Sequence, residues 1–268
     1  MDGVTILKGK KDGPTAVIMG GSHGNEKVGP RALDVLEREL SIDAGTVYLI
    51  RANLSALRQN KRFIESDMNR CFSLLNKGQT EEEKRTLELM KILDTADALL
   101  DLHSFNDDAG EPFAITDRPS MSLARIFDVP TLSLGWDAIH KGSSDEYMHS
   151  RGKAAVSVEC GPTVRFEAYT PFAIDCSYRF LAHLSMLSYT FAEPENQKIV
   201  SITRSIKRVS PAFAFARKFD NFESLEAGKV FATDGDIEYT AQAGEVIMFC
   251  RPNAPIGGEV AIVGRLDD

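Results

Sequence analysis

The chain has 268 residues, 43% hydrophobic and 26% charged, which fits a globular protein with one large domain or a medium and a small one. Its formal net charge of −8 argues against a general nucleic-acid binder, whose phosphate contacts need a basic surface, but leaves room for a local basic pocket that takes small anions. No apolar run reaches the roughly 18 residues of a membrane span, and the opening MDGVTILKGKKDG lacks the apolar core and cleavage site of a secretion signal, so no membrane association is expected.

In chain order, TAVIMG (15–20) reads as a buried strand, VGPRALDVLEREL (28–40) as the helix after it and TVYLIRAN (46–53) as another strand. A polar stretch over 54–79 follows, and an irregular segment of that length inside a compact domain is more often functional than not. TEEEKRTLELMKILDTA (80–96) has a Thr followed three residues later by Glu, then apolar residues at helical spacing, which predicts a capped amphipathic helix. ALLDLH (98–103), FAIT, TLSLG and AAVSVEC read as short strands, and residues 169–192 as a long apolar helix. This alternation predicts an α/β fold with a mostly parallel or mixed central sheet flanked by helices.

Near AEPENQ (192–197) the helical period stops, and short runs such as VFATDG, IEYTA, VIMFC and GEVAIVGRL alternate with Gly, Asp and Pro. The boundary is set at residues 1–195 for a catalytic domain and 196–268 for a small, all-β C-terminal domain. Cys71, Cys160, Cys176 and Cys250 are scattered without a CxxC pair and read as reduced thiols, which places the protein in the cytoplasm. The sequence leaves the oligomeric state open, a homo-oligomer included.

Polar residues stand where apolar strands meet loops. GGSHGNEKVGP (20–30) carries His23 and Glu26, DLH ends a strand at His103, and VSVECGP puts Glu159 at the end of another. Taken singly, each is more often a satisfied polar residue than a ligand. In a parallel sheet, however, strand ends share one edge, and the residues after them converge. Two histidines and a carboxylate can hold a catalytic zinc with one position left open for water. Glu159, flanked by apolar residues, is then the candidate general base, since desolvation raises its pKa. Asp101 lies on the same strand face as His103 and can accept its spare ring N–H. RFIESDMNR adds Arg62, Asp67, Asn69 and Arg70, and arginine forks match carboxylates, so an anionic substrate is expected.

GGSHGNE, RFIESDMNR, DLHS and VECG occur in the order found in the succinylglutamate desuccinylase/aspartoacylase family, relatives of the zinc carboxypeptidases, and the chain resembles that family over about residues 15–165. The β-rich tail also resembles the family's small C-terminal domain. The resemblance implies a zinc carboxypeptidase-like fold, one zinc ion per chain held by His23, Glu26 and His103, and Glu159 as general base and acid. It implies that Arg62 polarises the scissile carbonyl, that Asn69 and Arg70 hold the substrate α-carboxylate, and that Asp101 backs a zinc histidine. Arg151 is the candidate for a further arginine on a side-chain carboxylate, at a different spacing from Glu159, and Tyr239 is the candidate for a tyrosine from the C-terminal domain. The activity implied is removal of an acyl group from a small, anionic N-acyl amino acid. A carboxypeptidase-like peptidase on short peptides and a non-catalytic zinc- or ligand-binding protein are the alternatives.

Overall fold

The computed structural model describes residues 1–267. The fold divides into two compact units: Met1–Leu132 with His140–Gln197, and Ser133–Ile139 with the chain from Lys198 onward. As far as Gln197 the chain forms β1 (Val4–Lys8), β2 (Lys11–Gly20), α1 (Val28–Glu39), β3 (Ala44–Arg51), α2 (Leu54–Gln59), α3 (Glu81–Leu93) and β4 (Ala98–Phe105). It continues through β5 (Phe113–Thr116), α4 (Met121–Ala124), β6 (Thr131–Leu134), α5 (Trp136–Ile139), α6 (Ser144–His149), β7 (Ala154–Pro162) and α7 (Phe166–His183).

The first unit is built on a mixed sheet. Its parallel centre runs β3-β2-β4-β7, with β1 antiparallel on β3 and β5 antiparallel on β7. Helices cover both faces, which is why the central strands are apolar almost throughout instead of alternating. In β2, Ala16 and Ile18 join a core with Leu33 and Leu36 of α1 and Phe180 of α7. Val17 and Met19 face the other way, toward Leu89 and Leu93 of α3 and Met148 of α6. Against this apolar background, Asp101 and His103 of β4 and Ser157 and Glu159 of β7 are polar interruptions. Strand geometry sends alternate side chains to opposite faces, and these four share the face toward α3 and α6 with Leu99 and Ala155. The ladder sets Asp101 beside Ser157 and His103 beside Glu159.

Local chemistry fixes the element ends. Thr80 and Glu83 form the capping box that their spacing predicts at the start of α3. The helix expected over 169–192 stops at His183, because Ser185 turns left-handed at φ 58° and the amides of Ser185 and Met186 bond back to Ala182 and Leu181. That is a Schellman closure, and it satisfies carbonyls that a longer helix would have used. None of the helices among the described residues is long and apolar enough to cross a membrane.

In the second unit β8 (Lys198–Lys207), β9 (Phe213–Phe215), β10 (Glu223–Ser224), β11 (Val230–Asp234), β12 (Ile237–Thr240), β13 (Glu245–Met248) and β14 (Glu259–Leu266) pair antiparallel in the orders β8-β14-β13-β10 and β12-β11-β9. Their inner residues, among them Ile206, Phe213, Phe231, Ile247 and Val260, make a separate small core.

Candidate metal centre

The turn after β2 brings His23 and Glu26 together. The Glu26 amide bonds the His23 carbonyl at 3.1 Å, closing a tight turn just before α1. Gly24 makes the turn feasible: a Cβ there would lie 2.0 Å from the carbonyl carbon of Ala56 in α2. The Gly24 amide in turn bonds the Arg62 carbonyl at 3.1 Å, so the long loop after α2 is tied to the same turn.

His103 joins from the end of β4. One donor atom from each of His23, Glu26 and His103 lies within 4.8 Å of the others, and all three residues are buried. Glu26 sits between the two rings: Oε1 is 2.7 Å from His23 Nδ1 and Oε2 is 3.1 Å from His103 Nδ1. The Ser104 amide donates to Oε2 at 3.1 Å. Each imidazole has a second carboxylate on its far nitrogen. Asp67 Oδ1 is 3.0 Å from His23 Nε2, and Asp101 Oδ2 is 3.1 Å from His103 Nε2. Both rings therefore point Nδ1 inward and back Nε2 with an acid, the arrangement that orients histidine ligands at metal sites.

Electrostatics divides the carboxylates. Burial alone would push Glu26 up, but the two imidazoles outweigh it and hold its carboxyl well below the usual range. Burial opposes protonation of His23 and His103, yet Glu26 with Asp67 on one and Asp101 on the other raises both. Glu159 goes the other way: burial first, then the charge of Glu26, pushes it up to about 7. Its Oε2 is buried with no hydrogen-bond partner among the described residues. The donor set therefore suits a divalent cation, with an ionisable carboxylate beside it that is not part of the set.

Arg62 is half-buried at the rim. Its Nη2 is 3.1 Å from Asp67 Oδ2 and its Nη1 is 3.7 Å from Glu26 Oε1. Asp67 also caps the short 3-10 turn Met68–Arg70 by accepting from the Asn69 amide at 3.0 Å. Asn69 and Arg70 follow directly, so one turn of backbone presents the cationic and amide groups.

Comparison with known proteins decides the family. The sequence model described as the succinylglutamate desuccinylase/aspartoacylase catalytic domain matches residues 12–176, more than half of the chain. The chain belongs to the succinylglutamate desuccinylase/aspartoacylase family. The AstE/AspA barrel-sandwich hybrid domain matches residues 198–265. A succinylglutamate desuccinylase of Idiomarina loihiensis is 26% identical, over 83% of this chain and 72% of its own. An N-alpha-acetyl-L-2,4-diaminobutyric acid deacetylase of Halomonas elongata is also 26% identical, over 73% of this chain, which spans 62% of that protein's length. Among solved structures, a succinylglutamate desuccinylase from Vibrio cholerae shares the fold with a TM-score of 0.84 at 21% identity, covering 98% of this chain and 85% of that one.

Within this family fold, the structure brings His23, Glu26, His103, Glu159, Arg62 and Asp101 to one place, with Asn69 and Arg70 on the adjoining turn. It does not bring Arg151. That side chain pairs with Asp94 at 2.9 Å and stacks 3.4 Å from the ring of Tyr147. It precedes the start of β7, whereas Glu159 lies five residues beyond Ala154, roughly 17 Å along an extended strand. Spacing along the chain could not distinguish the two ends of that strand. Tyr239 packs within the β unit against Phe213 and Phe231.

Two contributors escape a reading of the sequence. Asp67 is visible there only as one acid of the loop, and its bond to His23 spans 44 residues. Glu82, fully buried on α3, accepts the amides of Ile64 at 2.6 Å and of Glu65 and Ser66 at 3.2 Å, and the side chain of Asn53 at 3.3 Å. One carboxylate thereby organises the backbone between Arg62 and Asp67. Burial alone would raise Glu82, but the Ile64 amide and Asn53 outweigh it and hold its pKa below the ordinary value. A depressed carboxylate stabilises the fold above its unfolded pKa, and the benefit disappears as pH falls through the folded value. The Glu82→Gln variant is therefore expected to melt below the wild type at pH 7, with the gap closing below about pH 4. A thermal-shift series across pH checks this; a gap independent of pH would remove the charge from the argument.

Proposed function

We propose that the chain is a zinc-dependent amidohydrolase, with one zinc ion per chain, that removes the acyl group from a small, anionic N-acyl amino acid. The observation that carries the reading is the pair of unlike carboxylates: Glu26 held ionised between two imidazoles, and Glu159 beside them, unpartnered at Oε2 and pushed up to about 7. A site that only bound a cation would have no use for the second. His23, Glu26 and His103 would hold the ion, with Asp67 accepting the Nε2–H of His23 and the Asp101 carboxylate standing 3.1 Å from His103 Nε2 as a charge partner outside hydrogen-bond geometry, so that the Nδ1 lone pairs are left for it. Zinc bound there supplies Lewis acidity, which polarises an amide carbonyl and lowers the pKa of water to about 7.

The chain's own groups do the rest. Glu159 takes the proton from the attacking water and passes it to the departing amine; a base whose pKa lies near the working pH suits both transfers. Arg62 donates to the carbonyl oxygen as charge develops on it. Asn69 and Arg70 hold the substrate α-carboxylate. Residues 1–195 form the catalytic domain in this reading and 196–268 the small β-rich one. Cys71, Cys160 and Cys176, buried as free thiols, suit a reducing cytoplasm.

The relatives' names include both an acetyl and a succinyl acyl group, so the acyl group is a matter for assay. Zinc-reconstituted protein is expected to hydrolyse at least one member of a panel of N-acetyl, N-succinyl and N-formyl amino acids and to leave dipeptides intact. Cleavage of dipeptides alone would make it a carboxypeptidase-like peptidase. Stoichiometric zinc without any turnover would end the case for hydrolysis and favour a binding protein.

A further inference from the structure

Asp101 is fully buried, and a buried carboxylate needs donors of good geometry. Its Oδ2 has two hydroxyl neighbours, Ser22 Oγ at 3.4 Å and Ser144 Oγ at 2.6 Å. The first is long; the second has the short separation of a charge-assisted O–H···O⁻ bond. The other oxygen, Oδ1, has no partner among the described residues. Ser144 is thus the main donor to the acid that backs His103.

Ser144 is itself fully buried, and its position is doubly constrained. Its backbone amide donates to Asn69 Oδ1 at 3.3 Å. The preceding Gly142, at φ +82°, lies flush on the loop: a Cβ there would be 2.4 Å from the Arg70 carbonyl oxygen, and the Phe72 amide bonds the Gly142 carbonyl at 2.9 Å. The hydroxyl of Ser144 therefore reaches Asp101 from a backbone clamped to the Asn69–Phe72 turn. Since the Ser144 amide occupies Asn69 Oδ1, the Nδ2 donor of that side chain is left for other partners.

We infer that Ser144 is a positioning residue: its hydroxyl orients Asp101, and through it His103, while its amide sets the orientation of Asn69, so that the metal ligand and the anion-binding turn share one support. The inference rests on the reading of His103 as a metal ligand. Removing the hydroxyl leaves Asp101 free to rotate away from His103 Nε2, and loss of such a partner typically weakens metal binding about 10–100-fold.

The test is zinc affinity, measured by competition with a chromophoric chelator, alongside the melting temperature of the metal-free protein. Ser144→Ala is expected to bind zinc about 10–100-fold more weakly, and Ser144→Thr, which keeps the hydroxyl, to stay within a few-fold of wild type. In an Asp101→Asn background, Ser144→Ala is expected to cause little further loss, because the two act in series. If Ser144→Ala does not fold, Ser144→Cys carries the same test, its thiol being a weak donor in nearly the same volume. Wild-type affinity in the Ala or Cys variant, or full additivity with Asp101→Asn, would overturn the inference while leaving the proposed function intact. If the wild type takes up no zinc, both fall together.

Discussion

Replacing Glu159 with Gln is expected to lower kcat by about 10²–10⁴-fold, the usual worth of a positioned general base, while zinc affinity changes by no more than a few-fold. The physical ground is its isolation: Oε2 is buried without a partner among the described residues, and Glu159 stands outside the donor set of His23, Glu26 and His103. The same isolation makes a second, opposite expectation about stability. With a folded pKa of about 7, above the ordinary carboxylate value, Glu159 contributes stability at low pH that is lost as pH rises through 7. Glutamine cannot ionise and escapes that loss. Metal-free Glu159→Gln should therefore melt several degrees above metal-free wild type at pH 8, and the two should converge below about pH 4, under the unfolded carboxylate pKa. A variant that turns over at near-normal rate would remove Glu159 from the chemistry. A variant less stable than wild type at pH 8 would show that the carboxylate is satisfied after all. The two readouts are independent, and a group that trades stability for reactivity should move them in opposite directions.

The legible part of this molecule is the part written in short range. Continuous apolar runs marked the central strands because both sheet faces are covered, and the strand-end placement of His23, His103 and Glu159 followed from the edge that parallel strands share. The Thr80–Glu83 spacing marked the start of α3. Less legible was the stretch 54–79, which contains α2 and a 3-10 turn whose order depends on Glu82, a residue beyond it in the chain. The pairing of His23 with Asp67 and of Ser144 with Asp101 bridges 44 and 43 residues, distances over which no local pattern reports. β1 passed unread because it is a short edge strand with an exposed Ile6, lacking a clear apolar face. Nor does any compositional shift announce that Ser133–Ile139 associates with the β-rich unit. Arg151 misled for a related reason: sequence distance from Glu159 carries no sign of which end of β7 a residue occupies, and it occupies the wrong one.

Glu26→Gln should give the complementary result. Glutamine matches the shape of Glu26 but supplies a neutral amide where the two imidazoles and the Ser104 amide now meet a carboxylate. Zinc affinity is expected to fall by more than the roughly 10–100-fold that loss of a partner behind a ligand costs, because here a charged ligand itself is lost. Turnover should go with it and return only in part at high zinc. Metal content after dialysis against a chelator, followed by zinc titration, separates this variant from Glu159→Gln: the first should emerge nearly metal-free, the second loaded and inactive. The contrast follows from the environment of the two carboxylates. Glu26 is surrounded by imidazoles that hold it ionised, whereas Glu159 has burial and the charge of Glu26 against it. Two identical side chains in one site are thereby driven apart in pKa, which is how a ligand and a base are made from the same functional group. Should Glu26→Gln keep stoichiometric zinc through the chelator step, Glu26 is not a ligand, and the division of roles between these two acids is lost with it.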